Sequence, residues 1–272
     1  MLTTINPVMD QLYNNRAAVP DHLKIFERWR AQSLLTRQTR NCKLNIPYGG
    51  DNKQTLDIFP ANENRGLVVF IHGGYWRSLD KNDFSFVAEP FLAAGISVAL
   101  VNYRLCPDVT IAEIFNDCCL AINWLAQHAR RYGIRIDPTV LVGHSAGAHL
   151  VAMLYASEHL PVAISGGVGL SGLYDLAPLL ETSINTDLHL DASAAKQLSP
   201  INLKPCAKAT LDLVVGGDET SEFIRQSSLL PNYWPGHVYA AEPVAGCNHF
   251  TIVDHFVQPD SSQLKRTLAL FK

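Results

Sequence analysis

The residues best equipped for covalent chemistry in this chain are Gly143-His144-Ser145-Ala146-Gly147. A serine between two glycines at this spacing can be lifted clear of a sheet on a tight strand-to-helix turn. A side chain on either flank would collide with the neighbouring strand or helix. The turn needs a strand before it and a helix after it. Val140-Leu141-Val142 precedes, and Leu150, Val151 and Leu154 follow in a helical pattern. Such a serine attacks carbonyl carbon once a base takes its proton.

That chemistry needs a base, an acid to orient it, and donors for the developing oxyanion. In strand-turn-helix sites of this kind the chain order is Ser, acid, His. Gly246-Cys247-Asn248-His249-Phe250 follows the strand-like Val238-Tyr239-Ala240 and leads into a helix, which puts His249 on a loop. His255 falls at mid-helix and is the weaker candidate. His144 is expected to point away from the elbow and His149 to lie one helical turn down, both as structural residues. Val214-Val215-Gly216-Gly217-Asp218-Glu219 ends a strand with two adjacent carboxylates, of which only one can face the imidazole. His72-Gly73-Gly74-Tyr75-Trp76 follows another strand. The amides near Gly74 and Tyr75, with that of Ala146, are the expected oxyanion donors, and His72 braces their loop. Each donor stabilises the transition state by roughly 3 kcal/mol.

The elements that must position these groups can be read from short apolar runs. Leu67–Ile71, Ile96–Val101, Val140–Val142 and Leu211–Val215 are β-branched and nearly free of charge, as strands buried on both faces of a parallel sheet are. Between the second and third, Thr110 and Glu113 form a capping box. Ile111, Ile114, Phe115, Cys118, Ile122 and Leu125 then make one helical stripe that Gly133 ends. Strand and helix in alternation predict an α/β domain, a mostly parallel sheet with helices on both faces. Residues 1–45 read as a polar helical cover broken by Pro20, and 177–207 as either a cap insertion or a long connection. The whole of 1–272 is expected to form a single domain.

Composition excludes several function classes. The net charge of -3 gives no basic grip for nucleic acid. No run of eighteen apolar residues is present to span a bilayer. Met1–Asp10 has neither the basic nor the apolar region of a secretory leader, so a cytoplasmic location is expected. The six cysteines show no metal-ligand spacing, and Cys247 has no base placed for it. Neither a metal nor an organic cofactor is called for. The expected partner is a small acyl amide or ester.

The chain resembles the arylformamidase (kynurenine formamidase) branch of the α/β-hydrolases. The resemblance is carried by His72-Gly73-Gly74-Tyr75-Trp76, Gly143–Leu150, Glu222-Phe223-Ile224-Arg225-Gln226-Ser227 and Asn248-His249-Phe250. Tyr13-Asn14-Asn15-Arg16 is similar to a segment of bacterial members. The resemblance implies the α/β-hydrolase fold, a Ser145–His249–acid triad, and N-formylkynurenine as substrate. Acids in this fold commonly sit three residues after the glycine closing the strand, which favours Glu219 over Asp218, although eukaryotic members carry aspartate. Related esterases often have a third glycine where Tyr75 and Trp76 stand. Their rings are expected to bind substrate, narrowing the acyl side or stacking on an aromatic leaving group. Two alternatives are a general carboxylesterase and a non-catalytic binding protein, which loss of a triad member would mark.

Overall fold

The computed structural model describes residues 5–240 and 242–272, so the first four residues of the proposed cover lie outside it. Its strands are β1 (Lys43–Pro47), β2 (Thr55–Phe59), β3 (Leu67–Ile71), β4 (Ser97–Val101), β5 (Thr139–His144), β6 (Ile164–Leu170), β7 (Leu211–Val214) and β8 (Val238–Ala240). They form one sheet in the order β1-β2-β4-β3-β5-β6-β7-β8. From β4 to β8 every pairing is parallel, and β1 and β2 are added antiparallel at one edge.

Alternation along a strand sends successive side chains to opposite faces. Leu67, Val69 and Ile71 of β3 enter one core, and Val68 and Phe70 the other. The helices are α1 (Pro7–Tyr13), α2 (Asn15–Ala18), α3 (His22–Thr39), α4 (Ala88–Ala93), α5 (Ile111–His128), α6 (Ala146–Tyr155), α7 (Asn185–Leu188), α8 (Ala192–Gln197), α9 (Ser221–Leu229), α10 (Thr251–Phe256) and α11 (Ser262–Ala269). α5 and α6 cover the first face, while α3, α4, α10 and α11 cover the second. Thr110 and Glu113 make the reciprocal capping bonds at the start of α5, and such a cap contributes about 1 kcal/mol.

The cover over residues 1–45 has more structure than its polar composition predicts. α3 buries Ile25, Phe26 and Trp29 in the second core, and the segment ends in edge strand β1. The 177–207 stretch holds α7 and α8 between short 3-10 turns and meets α1. The Asn6 amide donates to the Glu181 carbonyl at 2.8 Å, and the Ser183 amide to Asp10 Oδ1 at 2.7 Å.

Register explains where a site can form. Ile71 of β3 lies opposite Gly143 of β5, and His144 opposite Leu170 of β6. The loops leaving these strands, and the loop after β7, therefore emerge side by side at the carboxyl edge of the sheet. That edge is where open α/β sheets bind ligands.

Candidate active site

Ser145 sits between β5 and α6 with φ 56° and ψ −118°, a strained conformation for a residue with a Cβ. Two close approaches fix it. A Cβ on Gly147 would lie 2.0 Å from the Ile71 carbonyl oxygen, and one on Gly143 would lie 2.3 Å from the Gly147 oxygen. The Ser145 amide is tied to the Leu170 carbonyl at 2.7 Å.

His249 precedes α10 on a loop held by Asn248, whose Oδ1 accepts from the Phe250 and Thr251 amides at 3.0 Å each. This Asx turn is what the Asn-His-Phe sequence provides. Nε2 of His249 lies 3.0 Å from Ser145 Oγ, and Nδ1 lies 2.7 Å from Glu219 Oε2. With a carboxylate on Nδ1, that nitrogen carries the proton and Nε2 faces the hydroxyl as an acceptor.

Glu219 has a fully buried side chain. Its Oε1 accepts from Ser171 Oγ at 2.5 Å and from the Gly216 amide at 2.7 Å. Its neighbour Asp218 is exposed, and among the described residues only its backbone amide is engaged, with the Cys247 carbonyl. The structure therefore brings Ser145, His249 and Glu219 together and leaves Asp218 outside. Ser171 was missed from sequence, because it closes a strand whose glycines hide it.

The loop after β3 passes beside this relay. Gly74 has φ 114°, where glycine is favoured, and a Cβ there would meet the Ser78 carbonyl at 2.0 Å. Tyr75 and Trp76 continue at φ 52° and 56°. Among the described residues the amides of Gly74, Tyr75 and Ala146 donate to no protein acceptor. His72 donates from Nδ1 to the Gly73 carbonyl at 2.7 Å and stacks on Tyr103. Nε2 lies 3.1 Å from Asn102 Oδ1, so both ring nitrogens brace the loop, and burial pushes the pKa down.

His144 departs from the sequence expectation in one respect. It is buried, but it turns toward the site, where Nε2 donates to the His249 carbonyl at 2.8 Å. Burial, then the neighbouring His249, push its pKa down to about 3. His149 donates to the Leu198 carbonyl at 2.7 Å, and burial takes it to about 4. Cys247 is buried, and burial raises its thiol pKa, the opposite of activation.

The relay opens into a cleft whose lining includes Tyr13, Arg16, Phe26, Tyr75, Ile184 and Phe250. Tyr75 faces it and donates from Oη to the Tyr13 carbonyl at 2.6 Å. Trp76 does not, which corrects the expectation that its ring binds substrate. It is fully buried and packs edge-on against His149 at 5.0 Å, because the loop turns its side chain into the core. The N-terminal wall of the cleft was also unread. Tyr13 is anchored by Glu222 Oε2 at 2.8 Å and Gln226 Nε2 at 2.9 Å, which ties α1 to α9. The Tyr13–Arg16 and Glu222–Ser227 segments were visible in sequence, but nothing there told that they touch.

The chain is similar to several known proteins. A family model described as BD-FAE matches residues 56–173. Kynurenine formamidase of Salmo salar is 31% identical over 80% of this chain and 78% of its own length. That of Danio rerio is 28% identical over 81% and 79%. A crystal structure from Silicibacter sp. TM1040, described as a candidate thioesterase, is 33% identical over 97% of this chain and 98% of its own, with a TM-score of 0.85. Esterase B from Lactobacillus Rhamnosis shares the fold at TM-score 0.72 and 19% identity, over 95% and 96%. With the α/β-hydrolase architecture and this relationship together, the chain belongs to the kynurenine formamidase family.

Proposed function

We propose that this hydrolase cleaves a short acyl group from an aryl amide or ester, with N-formylkynurenine as its substrate and kynurenine and formate as products. Ser145 is the nucleophile, His249 the base and Glu219 the acid. The observation that carries this reading is the continuous relay of 2.7 and 3.0 Å from Glu219 through His249 to Ser145.

His249 Nε2 takes the hydroxyl proton as Oγ bonds to the formyl carbon, and Glu219 stabilises the imidazolium that forms. The amides of Gly74, Tyr75 and Ala146 receive the oxyanion. Collapse breaks the carbon–nitrogen bond, and His249 returns the proton to the departing aryl amine. Water then attacks the formyl ester, loses its proton to His249, and frees formate and Ser145. The rings of Tyr13, Phe26, Tyr75 and Phe250 around the cleft support an aromatic leaving group. Tyr75, rather than Tyr75 with Trp76, is the residue that narrows the acyl side. We read residues 177–207 as a cap, a reading supported by Ser183 and Ile184 in the cleft lining.

A general carboxylesterase is the second reading. It is favoured by the likeness, at 33% identity, to a protein described as a candidate thioesterase, since esters leave more readily than amides. Steady-state kinetics on N-formylkynurenine beside p-nitrophenyl acetate and butyrate decide between them. The formamidase reading expects the formyl amide to have the highest kcat/KM. Butyrate turnover above both others would favour the esterase.

A further inference from the structure

Two guanidinium groups line the cleft that opens from Ser145, and their situations differ. Arg77 is paired with Asp187. Arg16 has no carboxylate partner among the described residues. Its Nη2 donates to Ser78 Oγ at 3.1 Å, and its guanidinium lies 6.0 Å from the centre of the Phe26 ring. Ser78 in turn donates to the Gly74 carbonyl at 2.9 Å, so Arg16 is held against the loop that carries the expected oxyanion donors. The charged neighbours of Arg16 do not neutralise it. Burial disfavours the Arg16 charge, and nearby Arg77 adds to that; Asp10 also lines the cleft, where its Oδ1 accepts from the Ser183 amide, and among the described residues it forms no ion pair with Arg16. Arg16 is thus a partly solvated cation without an ion-pair partner among the described residues, at the mouth of the pocket that holds Ser145.

We propose that Arg16 is a specificity-determining residue that binds a carboxylate on the leaving group of the substrate. A planar guanidinium offers paired N–H donors matched to a carboxylate, and such charge-assisted bonds are among the stronger polar contacts a site can make. The placement on the leaving-group side rests on the short-acyl reading of Ser145 above. A formyl or acetyl group carries no anion of its own, so any carboxylate the enzyme recognises must sit on the departing fragment. Arg16 reaches the cleft from the short helix α2, and the bonds of Tyr13 to Glu222 and Gln226 hold the preceding turn in place. The N-terminal cover then selects the substrate as well as shielding the site.

The test uses two acetyl esters whose leaving phenols differ in charge, 3-acetoxybenzoate and phenyl acetate, with N-formylkynurenine as a third substrate. The wild-type enzyme is expected to favour 3-acetoxybenzoate over phenyl acetate by about ten-fold in kcat/KM, the ratio that one such contact gives. Arg16→Gln should bring that ratio close to one, chiefly through KM, and Arg16→Lys should keep part of it. Absence of the preference in the wild type, or its survival in Arg16→Gln, overturns the proposal. Equal losses by Arg16→Gln on both esters overturn it too, since they mark damage to the Gly74 loop rather than loss of a charge contact. If N-formylkynurenine is not cleaved but the ester preference collapses in Arg16→Gln, the formamidase reading fails and the role of Arg16 stands.

Discussion

His144 Nε2 donates a hydrogen bond to the backbone carbonyl of His249 at 2.8 Å. The residue just before the proposed nucleophile Ser145 therefore grips the main chain of the proposed base His249. The bond thereby holds in place the backbone that carries the imidazole beside Ser145. His144→Ala should lower kcat by about ten- to a hundred-fold, the range a displaced supporting residue produces. KM should change little. Pre-steady-state acylation rates would measure it, and a change confined to KM would show that His144 contacts substrate instead.

Removing either end of the relay should be far more severe. Ser145→Ala or His249→Ala is expected to reduce kcat about a million-fold, and the double variant should be hardly worse, because the groups act as a unit. Labelling by a serine-directed phosphonate, read by mass spectrometry, checks the same claim. The adduct should fall on Ser145 and vanish in Ser145→Ala.

Glu219→Gln should cost about ten-thousand-fold in kcat, because an amide beside Nδ1 permits the wrong tautomer. Asp218→Asn should stay within a few-fold of wild type, since that carboxylate is exposed and bonds nothing in the site. The reverse ranking in steady-state assays would move the acid to Asp218.

Three buried histidines give a pH signature distinct from catalysis. Burial pushes His144 to about 3 and His149 to about 4, and lowers His72 as well. In the unfolded chain each binds a proton near pH 6.5, whereas the folded protein takes none until well below that. The unfolded state thus gains protons first. The stability tied to these groups is complete above pH 6.5 and is lost progressively as pH falls toward 4 and then 3. His144 and His149 should each account for about 2 kcal/mol of the decline between pH 7 and 5. Urea unfolding at the two pH values measures it, and His149→Gln should shrink the decline by that amount. An unchanged decline would show that His149 is already protonated in the fold.

Much of this was legible in the sequence, and the exceptions have physical causes. The central strands were readable because both faces are buried, so their residues are continuously apolar. β1 is largely exposed, and β2 carries Asp57, which the fold neutralises with buried Lys81 at 2.8 Å. A charge inside a strand hides the run. β6 is hidden by Gly166, Gly167 and Gly169, which leave space for other side chains. A Cβ on Gly167 would lie 2.7 Å from Tyr155 Oη, and one on Gly169 would lie 2.5 Å from Tyr174 Oη. Losing β6 also meant losing Ser171, the hydroxyl that holds Glu219. Trp76 was misplaced because adjacent residues on a tight loop point different ways, and only Tyr75 of the pair turns toward the cleft.

The contact between Gly147 and the Ile71 carbonyl leaves no slack between the helix that starts at the nucleophile and the strand that feeds the glycine loop. The Ser145 hydroxyl and the proposed oxyanion amides are therefore mounted on one rigid seam, already in register before any molecule enters. A selective ligand has nothing to assemble there. Its discrimination must be exercised at the rim, where the N-terminal helices line the cleft.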